Sequence, residues 1–500
     1  MKYLLASRLR TQGLDGDVRK AYGILREWTG DRLLSEIANE ASRSGRHWLI
    51  FESTNDLDLE QIRQIISTGV SLEPHEFRQF PQFTVLVPSD IVKQFALTGE
   101  AVQSEQLRVT VEVVGNGFPL DKVDVYVLTY DPESERVVQC HGRTSPSGIV
   151  TFTLEQNVVP VLLVASPYSS FWGALSRIGP STTSHRFELI PLEVQSSWEW
   201  WHNELNLPSS ESDSCANSIR VGVIDTGCGM HPAVSSVSNM GAMIDGIHHP
   251  NKGHDISGHG TSICGVIGAR ACTAANYPGV APSAVIATLR IYKEDSTTSK
   301  IDIANAIDLL VDNGVDLINI SSGWEDPSDI EHDAIGRAFN NGVVCVCSAG
   351  NTASDILYPA AYVETVSVSA YGKQDTFPPD TLSASRIPAD MNLMGRGQLF
   401  IANFCCSGES MSCCAPGVGI SAPTAALKAS DALYAVGDGT SLASAVATGV
   451  LARYLSKSPE FKCMKRTKER SEYILKTLFC ICATLGVDKK YEGNGSPVFK

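Results

Sequence analysis

A chain of 500 residues with 43% hydrophobic and 19% charged side chains has the make-up of a globular protein, long enough for about two to four domains. Its formal net charge of −15 argues against nucleic acid or anionic membrane as the main partner. No apolar stretch reaches the ~18 residues needed to span a bilayer.

From the N-terminus, Met1-Lys2-Tyr3-Leu4-Leu5-Ala6-Ser7-Arg8 meets arginine too early for a secretory apolar core. A cytoplasmic location is therefore expected, with residues 1–40 read as an N-terminal extension. His47-Trp48-Leu49-Ile50-Phe51 reads as a strand, and Leu59, Ile62, Ile65 and Ile66 line one face of a helix. Phe83 to Pro88 reads as a second strand, followed by a helix bearing Ile91, Val92 and Phe95. This β-α-β-α order defines a small α/β module over 41–106. Between 107 and 190 the pattern changes. Val109 to Val113, Val123 to Val127 and Val150 to Leu154 alternate with period two between glycine-rich turns, which predicts a small β-sandwich. Pro208 to Ala216 is a polar linker.

The remaining stretch, 196–500, alternates strands with helices. Arg220 to Ile224 is a short apolar run that places Asp225 at the end of a buried strand. His259 stands between Gly258 and Gly260, ahead of a small-residue helix from Ile263 to Ala269. Ala284 to Leu289 is a central strand. Ile301 to Asn313 is an amphipathic helix with Ile303, Ala306, Ile307 and Leu310 on one face. Val343 to Ser348 runs as a strand into Gly350-Asn351, and Ser441 opens a helix through Leu442-Ala443-Ser444-Ala445. Such alternation implies an α/β fold, a parallel sheet with helices on both faces, with any site at the carboxyl ends of the strands. The basic run Lys462 to Arg470 reads as a solvated helix face.

Thirteen of the fourteen cysteines lie from Cys215 onward. Cys405-Cys406 and Cys413-Cys414 lack the C-x-x-C spacing of a thiolate zinc site. Cys345 and Cys347 alternate with valines on a strand. Buried free thiols acting as small hydrophobes are the expected state.

Asp225, His259 and Ser441 supply a carboxylate, an imidazole and a hydroxyl, the groups of a base-activated serine nucleophile. Their chain order, acid then base then nucleophile, differs from the chymotrypsin order and from that of the α/β-hydrolases. Val223-Ile224-Asp225-Thr226-Gly227, Gly258-His259-Gly260-Thr261 and Gly439-Thr440-Ser441-Leu442-Ala443 together resemble the three motifs of the subtilisin-like serine proteases. The resemblance implies a serine endopeptidase acting on protein or peptide substrates. It implies Asn351 as oxyanion donor and Ser321-Ser322-Gly323 as the edge that pairs with substrate backbone. It also makes 41–106 similar to an inhibitory propeptide, an intramolecular partner of the catalytic domain. No cofactor is expected; calcium sites, common among secreted members, have no readable motif here. Ser262, Leu442 and Ala445-Val446 depart from frequent family residues without removing a catalytic atom. A catalytically weak binding scaffold and an esterase with the same triad are the alternatives.

Overall fold

The computed structural model describes residues 1–499 except 8–14, 30–32, 42–45, 54–56, 61, 63–65, 67–68, 80–91, 94–95, 97–105, 193–198, 208–218, 272–277, 427 and 429–432. At the N-terminus four antiparallel strands run in the order Leu33–Ala41, His47–Ser53, Lys2–Ser7, Val70–Pro74. Lys2–Ser7 is therefore central, and its period of two sends alternate residues to opposite faces. Tyr3 and Leu5 pack with Val18, Ala21 and Leu25 of the helix Asp15–Thr29. Leu4 and Ala6 join Trp48 and Ile50 in a core shared with Ile301, Ile303 and Ile307 of the helix Lys300–Asp312.

Lys2–Ser7 and Leu33–Ala41, expected to lie in a separate extension over 1–40, thus belong to the same sheet as His47–Ser53 and Val70–Pro74. A strand whose two faces are both covered carries no alternation, so Tyr3-Leu4-Leu5-Ala6 does not announce itself as one. Ile62 N–H to the Asp58 carbonyl (3.1 Å) and Ile66 N–H to the Ile62 carbonyl (3.0 Å) are helical bonds where a helix is expected. The strand expected at Phe83 to Pro88 lies outside the described residues.

Residues 106–189 form two sheets face to face. One holds Ile149–Glu155, Gln106–Gly115 and Ser184–Leu189; the other holds Ala174–Arg177, Val159–Ser166, Asp124–Asp131 and Arg136–Arg143. Val109, Val111 and Val113 interdigitate with Val125, Val127 and Leu163 between them, as the alternating valines predict. The second sheet is covered on its outer face too, where Val92 and Ala96 pack on Leu128, Val161 and Val164.

The rest of the chain is built on a nine-stranded sheet. Ser238–Ile244, Val285–Arg290, Arg220–Asp225, Leu317–Ile320, Val344–Ser348 and Thr365–Lys373 are parallel neighbours in that order. Antiparallel strands stand toward its margins. Each strand feeds two cores. Val221, Val223, Val344 and Val346 face the helices His259–Gly268 and Thr440–Ser456. Ile224, Ile318, Cys345 and Cys347 face Lys300–Asp312 and Asp329–Asn340. Cys345, Cys347, Cys405, Cys406, Cys413 and Cys414 are buried free thiols, and burial pushes Cys345 and Cys405 up to about 12. They act as small hydrophobes, inert as nucleophiles.

Packing covers two charged surfaces, one of them expected to be solvated. The polar face of the helix Lys300–Asp312 is covered: Asp302, Asn305 and Asp308 are fully buried, the Gly246 N–H donating to Asp302 Oδ1 (2.6 Å) and the Gly246 carbonyl accepting from Asn305 Nδ2 (3.1 Å). Asp308 pairs with Arg46, just before the strand His47–Ser53 (3.4 Å), and with Arg337. Arg470, in the run expected to be solvated, is buried and donates to Asp316 Oδ1 (2.6 Å), which also takes Arg466 (2.8 Å). Among the described residues no helix is long and apolar enough to cross a membrane.

Candidate active site

Asp225 ends the strand Arg220–Asp225, and the chain turns away at Gly227 with φ of 108°. A Cβ there would meet the His254 carbonyl oxygen at 2.4 Å, so the turn admits only glycine. Gly260 shows the same closeness from the other side: its Cβ would lie 2.0 Å from the Gly227 carbonyl oxygen. The two glycines let the helix His259–Gly268 begin against the Asp225 loop. Asp225 Oδ1 then accepts from the Thr226 N–H (2.7 Å) and lies 2.7 Å from His259 Nδ1. Both side chains are buried, 2% and 4% exposed. A carboxylate on Nδ1 keeps the ring proton there and leaves Nε2 as the basic nitrogen.

Asp255, absent from the sequence-based candidates, holds this geometry. Its Oδ1 accepts from Thr226 Oγ1 (2.8 Å), Ser257 N–H (3.0 Å) and Gly258 N–H (2.9 Å). Its Oδ2 accepts from the Thr261 N–H (2.9 Å) and hydroxyl (2.5 Å). Thr226 Oγ1 in turn accepts from the Gly260 N–H (2.9 Å). One carboxylate thus ties the loop after Asp225 to the turn that carries His259. The signal in sequence is an Asx turn, Asp255 followed by Ser257-Gly258.

Ser441 is the second residue of the helix Thr440–Ser456, whose N-terminal N–H groups have no intrahelical partners. Residues Leu442 to Gly449 are all buried, and the small side chains let this helix pack against the helix His259–Gly268. The Ser441 hydroxyl donates to the Ser321 carbonyl (3.0 Å) rather than to His259. Asn351 stands at the carboxyl end of Val344–Ser348. Its Oδ1 accepts from the Thr440 N–H (2.9 Å) and hydroxyl (2.8 Å), and Gly350 N–H donates to the same hydroxyl (3.2 Å). This bonding sets which end of the amide is which: the oxygen is engaged, and Nδ2 is the end available as a donor beside Ser441.

Ser321, Ser322 and Gly323 follow the strand Leu317–Ile320. Ser321 and Ser322 are 1% and 3% exposed, and Ser321 Oγ bonds inward to the Ser441 carbonyl (3.1 Å) and Ser444 Oγ (3.1 Å). What this edge presents is backbone, not hydroxyls. Asp225 is bonded to His259, Asn351 to the start of the helix that carries Ser441, and the two helices pack together; all four residues lie at the carboxyl ends of parallel strands or at helix starts beside them.

A family profile described as the subtilase family matches residues 216–494. Minor extracellular protease Epr of Bacillus subtilis is 26% identical over 282 residues, spanning 55% of this chain and 37% of that protein. The thermostable alkaline protease of Halalkalibacterium halodurans is 30% identical over 246 residues, 49% of this chain and 59% of the relative. Subtilisin BL of Lederbergia lenta is 30% identical over 173 residues, 34% of this chain and 62% of the relative. The chain thus spans less than two thirds of the length of these relatives.

Proposed function

Since this chain belongs to the subtilase family, we propose that it is a serine endopeptidase using Asp225, His259 and Ser441 as its triad and Asn351 as oxyanion donor. The observation that carries the reading is the buried 2.7 Å contact between Asp225 Oδ1 and His259 Nδ1, set beside the Ser441 helix. In the proposed reaction the Ser441 hydroxyl leaves the Ser321 carbonyl, gives its proton to His259 Nε2 and attacks the substrate carbonyl. Asp225 stabilises the imidazolium that results. Asn351 Nδ2 and the Ser441 N–H stabilise the oxyanion, helped by the positive end of the helix dipole. His259 then protonates the leaving nitrogen, and a water activated by His259 releases the acyl group.

A fluorophosphonate probe tests the reading directly. Covalent labelling of the full chain at Ser441, together with peptide cleavage, is the expected result. Labelling without peptide cleavage would point to an esterase, and no labelling to a binding scaffold. The oxyanion role has its own test. Asn351→Ala should lower kcat about a hundred- to a thousandfold with little change in KM, the size of the equivalent loss in subtilisin. Asn351→Asp keeps the acceptor for Thr440, removes the donor and should be at least as slow. A raised KM with unchanged kcat would make Asn351 a substrate-binding residue.

The N-terminal module is proposed to restrain the catalytic domain as an intramolecular inhibitor. Support comes from its seat on Lys300–Asp312 and from Arg78–Gln79, which extends as a strand along Thr297–Thr298. Arg78 pairs with buried Glu331, and Glu73 accepts from the Ile330 N–H (3.1 Å). Arg78→Met should leave Glu331 without its cation, and breaking half of a buried pair costs about 3–5 kcal/mol. Desolvation pushes Glu331 up from 4.5 to about 7. A raised carboxyl pKa favours the buried state fully below 4.5 and loses that contribution as pH rises through 7. The Arg78→Met defect should therefore be large at pH 8 and shrink toward pH 5. Hydrogen exchange of residues 300–312 reads the loosening; equal protection in both proteins at pH 8 would refute it.

A further inference from the structure

The β-sandwich is bolted to the catalytic domain beside the site. The Tyr168 hydroxyl donates to the Ala425 carbonyl (2.7 Å), and Ser170 N–H donates to the Tyr434 carbonyl (2.8 Å). Leu382 N–H donates to the Gly173 carbonyl (2.8 Å). Tyr168 reaches the turn that carries His259: a Cβ on Gly258 would lie 2.9 Å from its hydroxyl. Between the two domains runs a cleft of 1390 Å³. Tyr126, His141, Arg143 and Tyr168 line it from the sandwich; Gly258 and Leu442, the neighbours of the base and the nucleophile, line it from the catalytic side.

The chemistry decides which half of a substrate this cleft faces. Asn351 and the 321–323 edge are where the acyl half is held in the proposed reaction. The imidazolium gives its proton to the leaving nitrogen, so the departing chain must lie on the His259 side. The cleft opens there. We propose that the β-sandwich forms the outer wall of the site for the polypeptide segment C-terminal to the cleaved bond, an inference that rests on the protease reading. The wall is preorganised for peptide. His141 stacks on Tyr126 with ring centroids 4.8 Å apart. Asp124 holds His141 Nε2 and Arg143 Nε at 2.7 Å and takes Arg143 Nη2 at 3.4 Å, which leaves Nη1 of the guanidinium, on a side chain 63% exposed, for backbone or side-chain carbonyls.

The test compares two substrates sharing one acyl half. The short one ends in a chromogenic amide; the long one continues for about four residues, roughly 13 Å of extended chain. His141→Ala/Arg143→Ala changes two partly exposed side chains, 44% and 63%, on the strand Arg136–Arg143. In the full chain this double variant should lose about tenfold more kcat/KM on the long substrate than on the short one, mainly through KM. An unchanged long-to-short ratio, or equal losses on both, would overturn the wall. Fluorophosphonate labelling separates the two failures. A chain that labels at Ser441 and keeps the wild-type ratio in the variant loses only this inference; a wild-type chain that takes up no probe loses the protease reading and this one with it.

Discussion

Ser441→Ala should abolish peptide turnover and fluorophosphonate labelling while leaving the fold intact. The change removes one hydroxyl whose only described hydrogen bond is to the Ser321 carbonyl at 3.0 Å. Residue 441 remains a good helix former at the second position of Thr440–Ser456. The helix keeps its anchors, Thr440 on Asn351 and Ser444 Oγ on the residue 441 carbonyl (2.8 Å). The expected loss is that of subtilisin's own nucleophile, on the order of a millionfold in kcat. Thermal unfolding within a few degrees of wild type separates lost chemistry from lost structure. Undiminished activity in a folded, purified variant would show that another residue is the nucleophile.

Asp225→Asn should cost on the order of 10⁴ in kcat, the loss typical of this substitution in serine proteases. The amide fits the same space at the strand end, with its nitrogen at the position where Oδ1 of Asp225 meets both the Thr226 N–H and His259 Nδ1. That nitrogen is a donor facing His259 Nδ1. The ring must then accept there and carry its proton on Nε2, the nitrogen that has to take the Ser441 proton. The double variant Asp225→Asn/Ser441→Ala should be no slower than Ser441→Ala, because the residues act as one unit. A loss below tenfold in the single variant would mean that the Asp225 contact only packs the imidazole.

Much of the catalytic half is legible in the sequence. Asp225 at a strand end, His259 between glycines and Ser441 opening a helix are local patterns, and each of those contexts recurs in the fold. The valines of 109–113 likewise report a sheet covered on one side, whereas the strand Asp124–Asp131 is covered on both faces. Other features are hidden for definite reasons. Lys2–Ser7 is buried on both faces, so it shows a bare apolar run. The polar residues of Lys300–Asp312 look solvated because their partners are remote in sequence: Gly246 for Asp302 and Asn305, and Arg46, 262 residues away, for Asp308. Ser321 looks like a surface hydroxyl, yet it bonds beneath the nucleophile helix. Asp255 looks like a loop acid, although five donors converge on it.

The sequence by itself determined the candidate triad, the oxyanion candidate and the α/β class, because these depend on side-chain type, short spacing and periodicity. Only the tertiary structure decided which way each group faces and what covers it. It turned the Asn351 oxygen toward Thr440, joined Asp225 to His259 across 34 residues of chain and placed Tyr168 beside the turn before His259. It also put Gly246 and Arg46 against the polar face of the helix Lys300–Asp312. These are contacts between segments far apart in sequence, set by which surfaces bury together, and no window of residues records them.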